Sequence, residues 1–216
     1  MKWNNHKEYE GKHAFMSPSN YHWLNYTDIV FESRYYSQYS QLIGTTIHQL
    51  AHDCISSRMK LSKHDIHIVQ MYLWKAFIPK DAYDANRILT TLVPFVNDAI
   101  GFHMSSEILL FYNEFCFGTA DAISYSDYDK TLRIHDLKSG FNPADMRQCH
   151  IYAALFCLEY NINPKKLKLI ECRIYQNLEE QPVLVDQPSA DYIQEIMDYI
   201  QLRSKNIKSY LEREGR

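Results

Sequence analysis

The chain has 216 residues, of which 46% are hydrophobic and 23% are charged, as expected for one compact globular domain. A net charge of −3 excludes a protein that binds polyanions through bulk positive charge. The five cysteines have no CxxC spacing, which argues against a disulfide framework and a zinc ribbon. No segment approaches the roughly 20 apolar residues of a membrane span, and the N-terminus lacks a signal core. We therefore expect a cytoplasmic protein without a membrane partner.

The first half of the chain is predicted to be helical. Residues 1–16 form a polar lead-in, after which Ser17 can cap a helix that has Pro18 in its first turn. Residues 64–77 and 81–100 predict two further helices, which Pro79 separates, and Pro94 can kink the second. Between these regions an apolar stripe at helical spacing predicts a helix through His48, formed by Leu42, Ile47, Leu50, Ala51, Cys54 and Ile55.

Near residue 105 the pattern changes to short β-rich segments. The segments SEILLFYNE, FCFGTADAISYS and TLRIHDLKS predict three strands, with SDYDK as the turn before the third. A helix over 142–161 with Asn142 as its N-cap, a strand KLKLIECRIYQ and an amphipathic helix from Ser189 to about Glu212 follow. This order predicts an α/β (α+β) fold with a mixed sheet flanked by helices.

Three charged residues on the predicted hairpin suggest chemistry. Asp136 and Lys138 are two residues apart on one strand and therefore project to the same face. If the hairpin pairs the strands, Asp121 lies near Asp136, and two such carboxylates repel unless a cation lies between them. Hard oxygen ligands suit Mg²⁺ or Mn²⁺, and a neighbouring lysine can orient water or stabilise charge on phosphate oxygens. An isolated DxK pattern, however, is typical of a surface ion pair.

The other motifs that accompany this pattern are more informative. The set consists of GxxxH at Gly44–His48, GxxD at Gly118–Asp121, DxK at Asp136–Lys138 and QxxxY at Gln148–Tyr152. Together, these motifs resemble the core of the PD-(D/E)XK nuclease superfamily, in the branch of RecB- and Cas4-like domains and phage exonuclease-like proteins. The opening SPSNYHW resembles a phage-associated subgroup, and the resemblance extends from about residue 15 to about residue 176.

The resemblance implies a role for each matching residue. His48, Asp121, Asp136 and the Leu137 backbone carbonyl would bind the metal, and Glu107 is a weaker candidate for a second metal or a supporting position. Lys138 would be the catalytic lysine, and Gln148 and Tyr152, one helical turn apart, would position the lysine or the DNA. The residues implied in DNA contact are Ser139, Arg147, Gln148 and Tyr152.

The resulting hypothesis is a Mg²⁺- or Mn²⁺-dependent deoxyribonuclease, expected to be an exonuclease of phage-type recombination, replication or DNA degradation. DNA is the expected partner, with a recombinase or single-strand-binding protein as a further candidate. Some members of the branch carry an iron–sulfur cluster on four cysteines, three of them near the C-terminus. No cysteine follows Cys172 here, so no cluster is expected. The domain is predicted to be single, with a mainly helical part over 17–104, a catalytic core over 105–176 and a final helix over 189–212.

Other interpretations stay open at this point. A nuclease fold retained as a DNA-binding or protein-docking module, without turnover, would suit the acidic net charge. An enzyme of the same fold acting on RNA has the same motifs. The spacing of His48 and His52 resembles a metallopeptidase helix, but Gln49 stands where that chemistry requires a glutamate as the general base.

Overall fold

The computed structural model describes residues 6–7, 14–140, 143–176 and 183–214. The chain forms two compact units, Met1–Gln41 and Leu42–Arg216. The first unit contains a 3-10 helical segment, Pro18–Asn25, and helix α1, Asp28–Ser37. Thr27 caps α1 by accepting a hydrogen bond from a backbone N–H in its first turn. Ser17 occupies the predicted N-cap position before Pro18, but its side chain makes no capping hydrogen bond, and its hydroxyl instead shares a hydrogen bond with that of Ser19 at 3.1 Å.

Five more α-helices lie in the described chain, and the predicted helices are confirmed with shifted ends. They are α2 (Ser40–Ser56), α3 (Ile66–Lys75), α4 (Ala85–Gly101), α5 (Arg147–Glu159) and α6 (Ala190–Arg213). Helix α4 continues through Pro94. Helix α5 begins about five residues later than predicted, and its predicted cap, Asn142, lies outside the described residues. Within the described ranges, no helix combines the length and apolarity needed to cross a bilayer.

A five-stranded mixed sheet forms the centre of the second unit, which confirms the predicted mixed sheet flanked by helices. In order across the sheet, the strands are β1 (Ser105–Asn113), β2 (Cys116–Ser126), β3 (Thr131–Lys138), β4 (Leu169–Gln176) and β5 (Val183–Asp186). All neighbours are antiparallel except β3 and β4, which are parallel because α5 forms the crossover between them. The short edge strand β5 was not predicted.

The two faces of the sheet carry different helices. Leu132 and Ile134 of β3 belong to the core that α5 and α6 cover. On the opposite face, Tyr175 of β4 packs its ring against Phe95 of α4, with centroids 5.4 Å apart. Since strand side chains alternate between faces, Asp136 and Lys138 continue the row of Ile134 toward α5.

Candidate functional site

The hairpin of β2 and β3 brings two aspartates together. The paired stretch ends at Ala122 and His135, and the next residue on the two strands is Asp121 and Asp136, respectively. The Asp121 carboxylate accepts a hydrogen bond from the backbone N–H of Leu137 at 2.8 Å. Beyond the paired stretch, the Asp121 side chain therefore accepts a hydrogen bond from the β3 backbone, and this bond fixes one carboxylate oxygen of Asp121 against β3.

Helix α2 contributes His48 to this end of the hairpin. Its Nδ1 lies 3.2 Å from Oδ1 of Asp121 and 3.8 Å from Oε1 of Glu107 on β1. One ligand atom from each of these three residues lies within 4.8 Å of the others. An imidazole nitrogen and two carboxylate oxygens therefore converge from a helix and two strands on one point.

The charges at this point are crowded. Burial raises the pKa of Glu107, and the nearby Asp121 charge raises it further. Burial by itself lowers the pKa of His48, but its hydrogen bond to Asp121 and the carboxylates around it outweigh that effect and raise the pKa. The Asp121 charge contributes to both shifts in pKa, because negative charge accumulates where the three side chains meet.

Asp136, Lys138 and Gln148 form an adjoining group. Asp136 is buried, with 2% of its surface exposed. Lys138 Nζ donates a hydrogen bond to Asp136 Oδ1 at 3.1 Å and lies 2.9 Å from Oδ2. It also donates to Gln148 Oε1 on α5 at 2.6 Å. The lysine ammonium is thus held between β3 and the first turn of α5, next to the aspartate pair.

The donor set fits a divalent cation. Burial and the Asp121 charge raise the pKa of Asp136, and the attraction of Lys138 only partly opposes them. Oδ2 of Asp136 is buried and accepts no hydrogen bond from the described residues, although Lys138 pairs with it electrostatically. A buried carboxylate beside a second carboxylate, with an imidazole next to them, provides the mixed oxygen and nitrogen ligands that Mn²⁺ and Mg²⁺ sites use.

Two glycines let the site's elements approach each other closely. A Cβ on Gly118 would lie 3.1 Å from Cε1 of Tyr152, so the tyrosine ring packs directly on the backbone of β2. A Cβ on Gly44 would lie 3.2 Å from the Ser139 hydroxyl, so α2 lies against the residue that follows β3. Gly118 of the GxxD motif thus contacts the tyrosine of the QxxxY motif, and Gly44 of the GxxxH motif contacts the residue after the DxK motif. These two contacts bring the four sequence motifs together in space.

The backbone at Glu107 is unusual for a strand. Its φ is +54°, in the left-handed region that non-glycine residues rarely adopt. Conformations of this kind cost of order 1–3 kcal/mol and persist where the surroundings enforce them, often at functional sites. Sequence reasoning gave Glu107 the weaker role, whereas the structure places it in the three-residue cluster with His48 and Asp121.

The remaining predicted site residues lie around this centre. Ser139 and Arg147 are exposed, and the Arg147 guanidinium is paired with the Asp145 carboxylate. The Leu137 backbone adjoins Asp121 through its N–H, while a ligand role for its carbonyl stays a prediction. His52 lies one turn beyond His48, and its Nδ1 is 2.9 Å from the Ser106 hydroxyl.

Gln176 is a neighbour of the site that sequence reasoning missed. It pairs in register with Lys138 across β3 and β4 and is 1% exposed. Its Nε2 donates to the carbonyl of Gly140 at 3.1 Å, and its Oε1 accepts from the N–H of Ala144 at 2.9 Å. One buried amide therefore holds both sides of the connection between β3 and α5. A glutamine at the end of a strand gives no sequence signal for such a role.

Comparison of the chain with protein families, curated proteins and solved structures gives no match.

Proposed function

We propose that this protein is a divalent-metal-dependent DNA nuclease of the PD-(D/E)XK type, hydrolysing phosphodiester bonds. One observation carries the proposal: a carboxylate pair, an imidazole and a lysine that contacts a glutamine amide converge at the end of the β2–β3 hairpin. These side chains come from four elements, α2, β2, β3 and α5. The surface ion pair that explains an isolated DxK pattern requires neither His48 nor Gln148, and it leaves Asp136 exposed rather than buried.

Different residues of the chain would bind the metal ion and act on the phosphate. His48, Asp121 and Asp136, with Glu107 beside them, would hold a Mg²⁺ or Mn²⁺ ion, which supplies positive charge to the scissile phosphate and lowers the pKa of the attacking water. Asp121 is oriented by the Leu137 N–H, which binds one carboxylate oxygen, so the other oxygen faces His48. This preset geometry means that little reorganisation is needed when a ligand arrives.

Lys138 provides the second positive charge of the site. Its ammonium has three donors, and contacts with Asp136 and Gln148 hold it in place. In this position it can orient a water molecule or stabilise charge that grows on phosphate oxygens. Gln148 positions the lysine. Tyr152, one turn further along α5, packs its ring on Gly118 of β2 beside it.

The finer features of the proposal rest on the sequence resemblance. They are exonuclease rather than endonuclease action, DNA rather than RNA as the substrate, a place in phage-type recombination, replication or degradation, and a recombinase or single-strand-binding partner. End-labelled linear DNA and circular DNA of the same sequence distinguish the first of these, because an exonuclease degrades only the linear form.

A direct test uses linear DNA with Mn²⁺ or Mg²⁺ and compares the wild type with Lys138→Ala. The matched control is Lys130→Ala, which removes a lysine of the same hairpin that pairs with Asp127 in the turn. We expect cleavage by the wild type and the control, a loss of at least a hundredfold in Lys138→Ala, and no cleavage in EDTA. Equal cleavage by Lys138→Ala and the wild type would contradict the proposal.

Metal binding provides an independent readout. Calorimetric titration with Mn²⁺ should show binding by the wild type and by Lys138→Ala, and strongly weakened binding by Asp121→Asn. A wild type that binds DNA but neither binds Mn²⁺ nor cleaves would instead establish the docking-module interpretation.

A further inference from the structure

The hairpin of β1 and β2 carries exposed aromatic side chains near its tip. Phe111 and Phe117 face each other across the strands, with ring centroids 6.1 Å apart and planes inclined by 30°. They are 48% and 57% exposed, and Leu109, the next residue on the same face, is 55% exposed. A contiguous apolar patch of this kind on a protein surface is often functional. We call these three residues the aromatic shelf.

The shelf leads along the strands to the candidate site. The residues between its members, such as Leu110, point to the opposite face and belong to the core beneath α5. Moving from Phe111 and Phe117, the next exposed pair is Leu109 with Thr119, and Glu107 and Asp121 follow two residues further along their strands. Four residues of strand, about 13 Å, therefore separate the rings from the carboxylates. That distance equals about four stacked nucleotides at 3.4 Å each.

The shelf is too small to form a stable protein interface by itself. A buried aromatic side chain contributes roughly 150–250 Å², so three half-exposed side chains offer about 300 Å². A stable protein–protein interface buries about 800 Å² on each partner. A flat aromatic surface of this size instead matches one or two nucleic-acid bases.

We propose that the aromatic shelf binds unpaired bases of a single-stranded nucleic-acid segment whose backbone continues to the carboxylate site. The proposal rests on the function proposed above and specifies its substrate as single-stranded DNA or an unpaired end. Inside a duplex the faces of the bases are stacked on each other, so no free base face is left for the shelf rings to contact. Stacking on Phe rings is tolerant of sequence, since every base has a π-face.

Stacking also agrees with the charge of the chain. The net charge is −3, and the sequence has no lysine or arginine between residues 88 and 129, the stretch that contains β1 and β2. The two strands of the shelf therefore offer no cationic side chain to phosphates, and contact with bases supplies the affinity that they contribute. The contribution of the shelf should accordingly depend little on salt, unlike contacts between phosphates and cationic side chains.

The test is binding of fluorescein-labelled (dT)12 in EDTA, followed by fluorescence anisotropy. The variant Phe111→Thr/Phe117→Thr keeps residues that favour β-structure and removes both rings. The control Tyr128→Thr removes a 99% exposed aromatic ring from the turn at the opposite end of β2. We expect Kd to rise at least tenfold in the double variant and to be unchanged in the control. The ratio of variant to wild-type Kd should be the same at 50 and 200 mM NaCl.

Three results would overturn the proposal. One is a double variant that binds (dT)12 within twofold of the wild type. Another is a wild type that fails to bind (dT)12, or that prefers a blunt 12-base-pair duplex. The third is a change of oligomeric state by light scattering in the double variant without a change in DNA affinity, which would assign the shelf to contact between copies of the chain.

A second variant keeps the test decisive if the double variant folds poorly. Phe117→Trp places a fluorophore on the shelf, and stacking on a base should quench its emission with the same Kd as the anisotropy titration. Emission that stays constant as (dT)12 saturates the protein would contradict the proposal. These measurements need no hydrolysis: cleavage without shelf-dependent binding refutes the shelf alone, and shelf-dependent binding without metal-dependent cleavage refutes the nuclease alone.

Discussion

Replacing Gln176 with leucine should destabilise the protein and reduce its activity together. Leucine has nearly the volume of glutamine, so no large cavity forms, but the Gly140 carbonyl and the Ala144 N–H lose their partner. A backbone group left without a partner in a partly buried place costs about 1–3 kcal/mol. With two such groups, we expect the free energy of unfolding to fall by about 2–4 kcal/mol. For a chain of this size that corresponds to a decrease of about 5–15 °C in Tm.

Urea unfolding of the purified variant measures this change. The matched control is Gln194→Leu, in which a half-buried glutamine of α6 loses a solvent-exposed hydrogen bond to Asp198, and a change below about 0.5 kcal/mol is expected. Cleavage should fall in Gln176→Leu under conditions where it remains folded, because Gly140 follows Lys138 by two residues and Ala144 precedes Gln148 by four. If the two leucine variants lose the same stability, Gln176 does not hold the connection between β3 and α5.

Three further predictions concern other parts of the fold. Phe77 ends α3 with φ at +57° and is 91% exposed, so Phe77→Gly should raise the free energy of unfolding by about 1 kcal/mol in urea, whereas Phe77→Ala should give no gain. Gly118→Ala should displace the Tyr152 ring and lower the cleavage rate, while Gly101→Ala, whose Cβ meets nothing within 4 Å, should leave the rate unchanged. The Tyr72 hydroxyl donates a hydrogen bond to the Asp53 carboxylate at 2.6 Å, and this bond lowers the pKa of Asp53. The stability that the bond provides is therefore present above the ordinary pKa of 3.8 and is lost as the pH falls below that value. Urea midpoints should therefore fall less between pH 5 and pH 2 in Tyr72→Phe than in the wild type, and parallel curves would contradict this linkage.

Helix ends were less predictable than helices because this chain does not mark them with glycine. Arg58, Phe77, His103 and Asn161 all occupy the left-handed position that glycine usually takes after a helix. In each case the following N–H bonds back to a carbonyl five residues earlier, as from Ile78 to Leu73 at 3.0 Å. The apolar stripes predicted where the helices lie, but no residue type indicated where they stop. Gly44 and Gly118 serve close packing instead.

Strands with alternating or continuous apolar character were predictable, and the short edge strand was not. β1 to β4 each have eight or more residues and a clear hydrophobic pattern. β5 has four residues, Val183–Asp186, and prolines at 182 and 188 in the sequence favour a loop there. Its pairing with β4 depends on the tertiary fold, because the edge of β4 has backbone N–H and C=O groups with which a short segment can form hydrogen bonds.

The candidate site was predictable in its residues and in the approach of Asp121 to Asp136, but not in the contacts that support it. Motif spacing suggested His48, Asp121, Asp136, Lys138 and Gln148. The left-handed backbone of Glu107, by contrast, leaves no trace in the sequence, and the same holds for the two hydrogen bonds of Gln176. Both depend on partners distant along the chain. Sequence patterns identify chemistry that recurs, whereas supporting contacts of this kind are particular to one arrangement of helices and strands.

The acidic charge of the chain constrains how it can act on a polyanion. Negative charge accumulates at Glu107, Asp121 and Asp136, so without a bound cation this end of the hairpin repels phosphate. Lys138 offsets one carboxylate, and the remaining charge favours a divalent ion. Binding of nucleic acid should therefore have two separable parts: one at the carboxylates that requires the ion, and one at Phe111 and Phe117 that does not. Adding Ca²⁺, which matches the charge of Mg²⁺ but supports little phosphodiester hydrolysis at such sites, should strengthen (dT)12 binding equally in the wild type and in Phe111→Thr/Phe117→Thr. A cation effect that disappears with the rings would mean that the two parts are not independent.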